Sequence, residues 1–249
     1  MKAVILAAGK GTRMRDLTNA LPKPMLPVQG KPILQHILEG LAGNGLRDFC
    51  IVTGWKAEAI ESHFGDGSRF GWRVHYQRQV VQDGTGKAPE LAQAFVGQEP
   101  FLLTYGDILV KPETYGAMLK RFAEGSFSGL LTVTQGEDVT KGGLNFFDAS
   151  FCLKRLVEKP TPAQIEELKR TGWIQPGQPV YYNAGIYLFH PVLFEFTARL
   201  NKSPRGEYEL TDALSAMMEA GHRLAGLEIV GRWVDVRDPE VLAKLESEA

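Results

Sequence analysis

Several features that would have narrowed the function at once are missing from this chain. Its 249 residues include only two cysteines, Cys50 and Cys152, in apolar surroundings and without a CxxC spacing. That leaves no disulfide framework or zinc knuckle, and it predicts buried thiols in a reducing compartment. Net charge is −1, so no general attraction to nucleic acid or an anionic membrane is expected; a polyanion must be held by a local cluster. No apolar run reaches the length, about 20 residues, of a membrane-spanning helix. The opening "KAVILAA" is too short for a signal-peptide core, so the expected location is cytoplasmic. His36, His63, His75, His190 and His222 show no ligand spacing and no Ser or Cys partner, and none is given a role. No hexapeptide repeat is present, so no left-handed β-helix domain is expected.

Two familiar phosphate motifs are also absent. The stretch "LAAGKGTRM" holds a Gly-Lys pair, Gly9-Lys10, but a Walker A loop would need Gly at Val4 and Ser or Thr at Gly11. A dinucleotide fingerprint would need a third Gly at Met14. This removes the reading of a Rossmann-type oxidoreductase. What remains is a Gly-x-Gly-Thr-Arg loop. Gly9 and Gly11 allow a sharp turn that brings backbone N–H groups near phosphate oxygens. Arg13 adds a fork of donors suited to phosphate. Ten residues beyond it, Pro22 and Pro24 flank Lys23 and restrict its direction.

Composition is that of an ordinary globular protein, with 44% hydrophobic and 23% charged residues. The first half alternates strand and helix patterns: "KAVILA", "PILQHILEGLAGNG", "DFCIVTG", "KAEAIESHF", "WRVHYQ", "APELAQAFVG", "FLLTYGD" and "PETYGAMLKRFAEG". This predicts an α/β, Rossmann-like, mixed but mainly parallel sheet with helices on both faces. After about Ser128 the strands "SGLLTVTQ", "GLNFFD" and "CLKRLVEK" follow one another closely. Then come the helix "TPAQIEELKRTG", the strand "VYYNAGIYLF", the helices "PVLFEFTARL" and "EYELTDALSAMMEAG", and the last strands in "RLAGLEIVGRWVDV". No linker breaks the composition. The expectation is one domain over 1–249, with a nucleotide-binding half at about 1–127 and a sugar-binding half at about 128–249. Open sheets of this type bind ligands beyond the carboxyl ends of their strands, which singles out the Gly-rich loop and the "GD" after "FLLTY".

The N-terminal stretch "MKAVILAAGKGTRMRDLTNALPKPMLPVQGKPILQHIL" resembles the signature of the sugar-1-phosphate nucleotidyltransferases. The resemblance continues in order through "YGD", "VEKP", "NAGIY" and "WVDVRDPE", and "SPRGEYELTDAL" resembles a stretch of the glucose-1-phosphate thymidylyltransferases. It implies attack of a sugar-1-phosphate oxygen on the α-phosphorus of a nucleoside triphosphate, with pyrophosphate leaving. Such a reaction must align two polyanions and neutralise developing charge, which calls for cations and positioning.

The resemblance also implies roles. Leu6, Ala7, Ala8, Gly9, Gly11, Thr12 and Arg13 would hold the nucleotide and its phosphates, with Arg13 and Lys23 catalytic. Gln79, Gln82, Gly84 and Thr85 would meet the base. Gly143, Glu158, Lys159 and Asn183 would bind the sugar phosphate, and Asp107 and Asp235 would carry Mg²⁺. Asp107 and Asp235 lie 128 positions apart, so spacing alone does not join them. UTP or dTTP and a glucose-type 1-phosphate are the expected substrates, with CTP, GTP, other sugar phosphates and phosphocholine open. Lys87 departs from the thymidylyl and uridylyl pattern. Trp173, Tyr181 and Tyr182 are candidates for a wall over the sugar. A rival is a regulatory homologue that only senses nucleotide sugars, but it would be expected to lack some of these charged residues. Neither a nucleic-acid nor a membrane partner is expected; a homo-oligomer is compatible with the resemblance.

Overall fold

The computed structural model describes residues 1–247. In chain order, the first half comprises β1 (Lys2–Ala7), a short hairpin of β2 (Pro27–Val28) and β3 (Lys31–Pro32), α1 (Ile33–Gly43), β4 (Asp48–Thr53), α2 (Ala57–Phe64) and β5 (Arg73–Arg78). It continues with α3 (Gln93–Val96), β6 (Phe101–Tyr105), β7 (Ile108–Val110) and α4 (Glu113–Ala123). The second half holds β8 (Gly129–Thr134), β9 (Gly143–Phe147), β10 (Leu153–Glu158), α5 (Pro162–Arg170) and β11 (Tyr181–Phe189). Then follow α6 (Leu193–Thr197), α7 (Leu210–Glu219), β12 (Leu224–Glu228), β13 (Trp233–Asp235) and α8 (Pro239–Ser247).

Nine strands form one sheet. Its main path is β10-β9-β11-β6-β1-β4-β5, with β8 on β11 and β12 on β8. Strands β6, β1, β4 and β5 run parallel, whereas β11 is antiparallel to β6, β8 and β9. The expected mixed, mainly parallel architecture is what the chain forms.

Strand periodicity explains the two layers of helices. Ala3 and Ile5 of β1 face a core shared with α1, α2 and α4, while Val4 faces one shared with α6 and α7. A third, smaller core of Leu144, Phe146, Leu168 and Tyr182 lies under α5. Leu168 is the only side chain that α5 buries, worth about 2 kcal/mol. Its capping box, in which Thr161 Oγ1 accepts from Gln164 N–H, therefore adds a comparable share, about 1 kcal/mol.

The structure shortens two expected helices markedly and adds one. "APELAQAFVG" becomes a 3₁₀ turn, Ala88–Ala92, followed by the single turn α3. "PVLFEFTARL" is helical only over Leu193–Thr197, and the segment before Leu210 is loop. The added helix is α8, which follows "WVDV" directly. Its start is capped by Asp238, whose Oδ1 accepts from Val241 N–H at 2.9 Å, with Pro239 as the first helical residue. Both cysteines are free and buried, as expected. No helix among the described residues is long and apolar enough to cross a membrane.

Candidate active site

Register decides where the site forms. Leu6 of β1 pairs with Tyr105 of β6, and Ala7 with Thr53 of β4, so three parallel strands end side by side. Because β11 runs the other way, with Ile186 opposite Thr104, its first residues arrive at that same end. A cavity of about 530 Å³ opens there, within the range of small-molecule sites.

The Gly-rich loop caps β1. Ala8 is pinned by Trp55, whose N–H donates to its carbonyl at 3.0 Å. Gly11 has φ +62°, and a Cβ there would lie 2.9 Å from Lys23 Cβ. Only glycine lets the Lys23 segment pack this closely on the loop. Leu6, Ala7, Ala8, Gly9, Gly11, Thr12 and Arg13 all line the cavity.

The 3₁₀ turn Lys23–Met25 delivers Lys23 to the middle of this wall. Its Nζ donates to Asp107 Oδ2 at 2.6 Å and lies 3.8 Å from Asp235 Oδ1. A two-stranded ribbon, absent from the sequence reading, brings these carboxylates together. β7 leaves β6 immediately after Asp107 and pairs antiparallel with β13, Asp235 opposite Ile108, while Val236 N–H donates to Asp107 O at 3.0 Å. Burial first, and then the charge of Asp107, push the Asp235 carboxyl up to about 6. Lys23, Arg237 and Arg13 counter that rise.

This donor set suits a hard divalent cation. Two carboxylates converge on one ammonium and are incompletely neutralised by it. Among the described residues no group of three or more His, Cys, Asp or Glu could hold a metal, so further ligands would come from phosphate and water. That pattern fits Mg²⁺ better than a metal requiring a full protein cage.

Across the cavity, β9 and β10 pair Gly143 with Glu158. Lys159 follows at φ +41°, and its N–H donates to Gly142 O at 3.1 Å. Glu158 lies 4.0 Å from Lys159 Nζ and 3.6 Å from Arg205 Nη2 through Oε1. Burial raises its pKa, partly offset by Lys159 and Arg205. Asn183 is oriented from behind: its Oδ1 accepts from Tyr187 OH at 3.0 Å and Gly185 N–H at 3.2 Å, leaving Nδ2 as a donor. A Cβ at Gly143 would sit 3.1 Å from Glu158 Oε2 and 3.3 Å from Asn183 Cβ. Gly143→Ala is therefore expected to raise the acceptor KM about tenfold, the cost of one misplaced hydrogen-bonding group, with little change in nucleotide KM. Equal changes in both constants would show a general distortion instead.

At the third wall Gln79, Gln82, Gly84 and Thr85 line the cavity. Gln79 Nε2 donates to Gly84 O at 3.3 Å, and Gln82 Nε2 to Gln79 O at 3.4 Å. Lys87 does not reach this wall. It is tied to Ala198 O at 2.9 Å and to Glu90 at 3.3 Å. Of the three aromatics considered for the sugar wall, Tyr182 lines the cavity. Trp173 packs instead on Phe146, and Tyr181 on Phe147 and Phe151.

Every residue to which the resemblance gave a site role borders this one cavity, whereas Lys87, Trp173 and Tyr181 do not. The sequence reading passed over Glu209, Thr211, Tyr105, Tyr187 and Arg237, which also line it. The stretch "SPRGEYELTDAL" pointed to two of them without saying which side chains turn inward.

Residues 2–248 match the model of the nucleotidyl transferase family. A low-salt glycan biosynthesis nucleotidyltransferase of Haloferax volcanii is 30% identical over 243 residues, covering 96% of this chain and 63% of that protein. The glucose-1-phosphate thymidylyltransferase of Streptomyces griseus is 31% identical over 235 residues, covering 94% and 62%. The bifunctional protein GlmU of Methanococcus vannielii is 34% identical over 239 residues, covering 96% and 52%. The chain thus spans between 52% and 63% of the length of these relatives. Among solved structures, a Bacillus anthracis chain described as a glucose-1-phosphate thymidylyltransferase, solved with sucrose, superposes with a TM-score of 0.84. It is 25% identical, with 100% of this chain and 95% of that one covered. The family match runs almost end to end and the same fold surrounds the cavity, so the chain belongs to the nucleotidyl transferase family.

Proposed function

We propose that this protein transfers a nucleotidyl group from UTP or dTTP to a glucose-type sugar-1-phosphate, in the cytoplasm and with Mg²⁺, releasing pyrophosphate. The observation that carries the reading is the convergence of Lys23, Asp107 and Asp235 beside the Gly-rich loop, across one cavity from Glu158, Lys159 and Asn183.

The chain's own groups account for most of what the reaction needs. Backbone N–H groups between Gly9 and Thr12, with Arg13, hold the triphosphate and its departing pyrophosphate. Lys159 fixes the sugar phosphate so that its oxygen faces the α-phosphorus, a positioning effect. Lys23 supplies charge where the transition state gains it. Mg²⁺ held by Asp107 and Asp235 would draw electron density from the triphosphate oxygens. The sugar-phosphate oxygen forms the new bond to the α-phosphorus as the bond to the pyrophosphate oxygen breaks, with no covalent intermediate on the protein.

Base choice follows from Gln79. Its Nε2 is engaged with Gly84 O, so Oε1 is left as an acceptor. Uracil and thymine offer an N3–H donor to it, whereas cytosine offers another acceptor. The arrangement supports UTP or dTTP over CTP. With Lys87 pinned elsewhere, its departure from the family pattern does not alter this wall.

The test is pyrophosphate release with Mg²⁺, five nucleoside triphosphates crossed with a panel of sugar-1-phosphates and phosphocholine. Release with UTP or dTTP and a glucose-type acceptor is the expected result. Nucleotide-sugar binding without release from any pair would favour the regulatory homologue.

A further inference from the structure

The ribbon that carries Asp235 ends in a cation that no role above uses. Arg237 stands two positions beyond Asp235, and both line the cavity, while Val236 between them is buried. The main chain turns tightly here, with Arg237 N–H donating to Asp235 O at 2.8 Å. Arg237 Nη1 donates to Glu137 Oε2 at 3.3 Å, and Nε lies 3.8 Å from Asp238 Oδ2. Among the described residues, these contacts leave Nη2 without an acceptor. Glu137 belongs to the loop between β8 and β9, which also brings Lys141 and Gly142 to the cavity. Arg237 thus joins the ribbon to the sugar-phosphate side of the site.

Two guanidiniums act on the Asp235 carboxyl, Arg237 and Arg13. They come from different parts of the chain: Arg13 from the Gly-rich loop, Arg237 from the end of β13. A positive charge this near a metal-binding carboxylate opposes cation binding, a cost that an anionic substrate group would offset. A structural tie is a weak reason to keep it. The Glu137–Arg237 pair is 23% and 27% exposed, and an ion pair so open to water adds little stability. A planar fork held by one arm, with the other arm open, suits a phosphate better than a point charge does.

We infer that Arg237 is an acceptor-binding residue: Glu137 steadies one arm of its guanidinium, and the other donates to a phosphate oxygen of the sugar-1-phosphate. Arg13 and Arg237 then divide the two substrates, one guanidinium for the triphosphate and one for the acceptor. This inference rests on the sugar-1-phosphate reading above. It goes further by giving the acceptor's phosphate a second cation beside Lys159.

The experiment compares Arg237→Gln, Arg237→Lys and Glu137→Gln with wild type. Arg237→Gln should raise the acceptor KM about 10- to 100-fold, the range for a lost hydrogen bond to a charged group. Its nucleotide KM should stay within about threefold. Inorganic phosphate, competing with the acceptor, should lose potency by a factor similar to that in acceptor KM, whereas phosphate-free methyl glucoside should not. Arg237→Lys keeps the charge without the fork and should recover only part of the loss; it carries the test if Arg237→Gln does not fold. Glu137→Gln should leave both KM values within about threefold of wild type. Equal losses in Arg237→Gln and Glu137→Gln would make Arg237 a tie between the ribbon and the β8–β9 loop, and overturn the inference. A loss confined to the nucleotide KM would place the guanidinium on the triphosphate and overturn it too. Absence of turnover by wild type with every sugar-1-phosphate would instead overturn the parent reading, and this inference with it.

Discussion

Lys23→Met is expected to lower kcat by about 100- to 1,000-fold with the fold intact, the range seen when one preorganised donor to developing charge is removed. The side chain is 12% exposed and sits 2.6 Å from Asp107 and 3.8 Å from Asp235. In this arrangement the ammonium is the counter-ion of both carboxylates. A divalent cation held by Asp107 and Asp235 would take over that task and leave the ammonium free to meet phosphate oxygens. The variant should therefore bind Mg²⁺ or Mn²⁺ more tightly than wild type in the absence of nucleotide, as read by calorimetry. Unchanged kcat would remove Lys23 from the reaction. Metal binding that weakens in the variant would show that ammonium and metal do not compete for the carboxylates.

Asp235→Asn should cost turnover by at least about 100-fold, since direct ligands weigh no less than the outer-shell partners whose loss costs 10- to 100-fold. It should also raise the thermal midpoint of the metal-free protein. The ionised carboxylate is disfavoured in the fold because it is buried beside Asp107, with Lys23, Arg237 and Arg13 offsetting only part of that cost. Asparagine removes the repulsion, while the strand pairing of this position to Ile108 uses only main-chain atoms. A carboxylate kept for structure would give the opposite sign. Activity lost together with stability would thus count against the metal assignment, and stability gained as activity falls is the signature of a functional charge.

Residues within one local segment were readable from the sequence. The Gly-x-Gly-Thr-Arg loop, the Pro-flanked Lys23 and the strand ending at Asp107 announce themselves because glycine, proline and apolar runs constrain the backbone directly. The ribbon of β7 and β13 was not legible. Each strand is three residues long, too short for any periodicity, and their pairing joins segments more than a hundred positions apart. Helix α8 was hidden differently: its Asp-Pro start lay inside a stretch already taken up as a metal segment. Glu209 was invisible for a third reason. In "GEYELTD" three acidic residues sit within six positions, and only the tertiary placement of α7 decides that Glu207 and Glu209 border the cavity, Glu209 as a buried group, while Asp212 stays exposed.

The antiparallel course of β11 has a consequence for how the chain comes to be folded. Strand β6, "FLLTY", lies between β1 and β11, so one of its edges stays unpaired until residues 181–189 have been synthesised. At about 5–20 residues per second, that leaves a mostly apolar strand edge open for several seconds on the ribosome. An unpaired edge of this composition is a template for pairing with another nascent chain. The carboxylate pair completes later still, once residue 235 has emerged to join β7. Assembly of the Lys23, Asp107 and Asp235 cluster is thus a late event of the chain's biosynthesis, later than the closing of the sheet around β6.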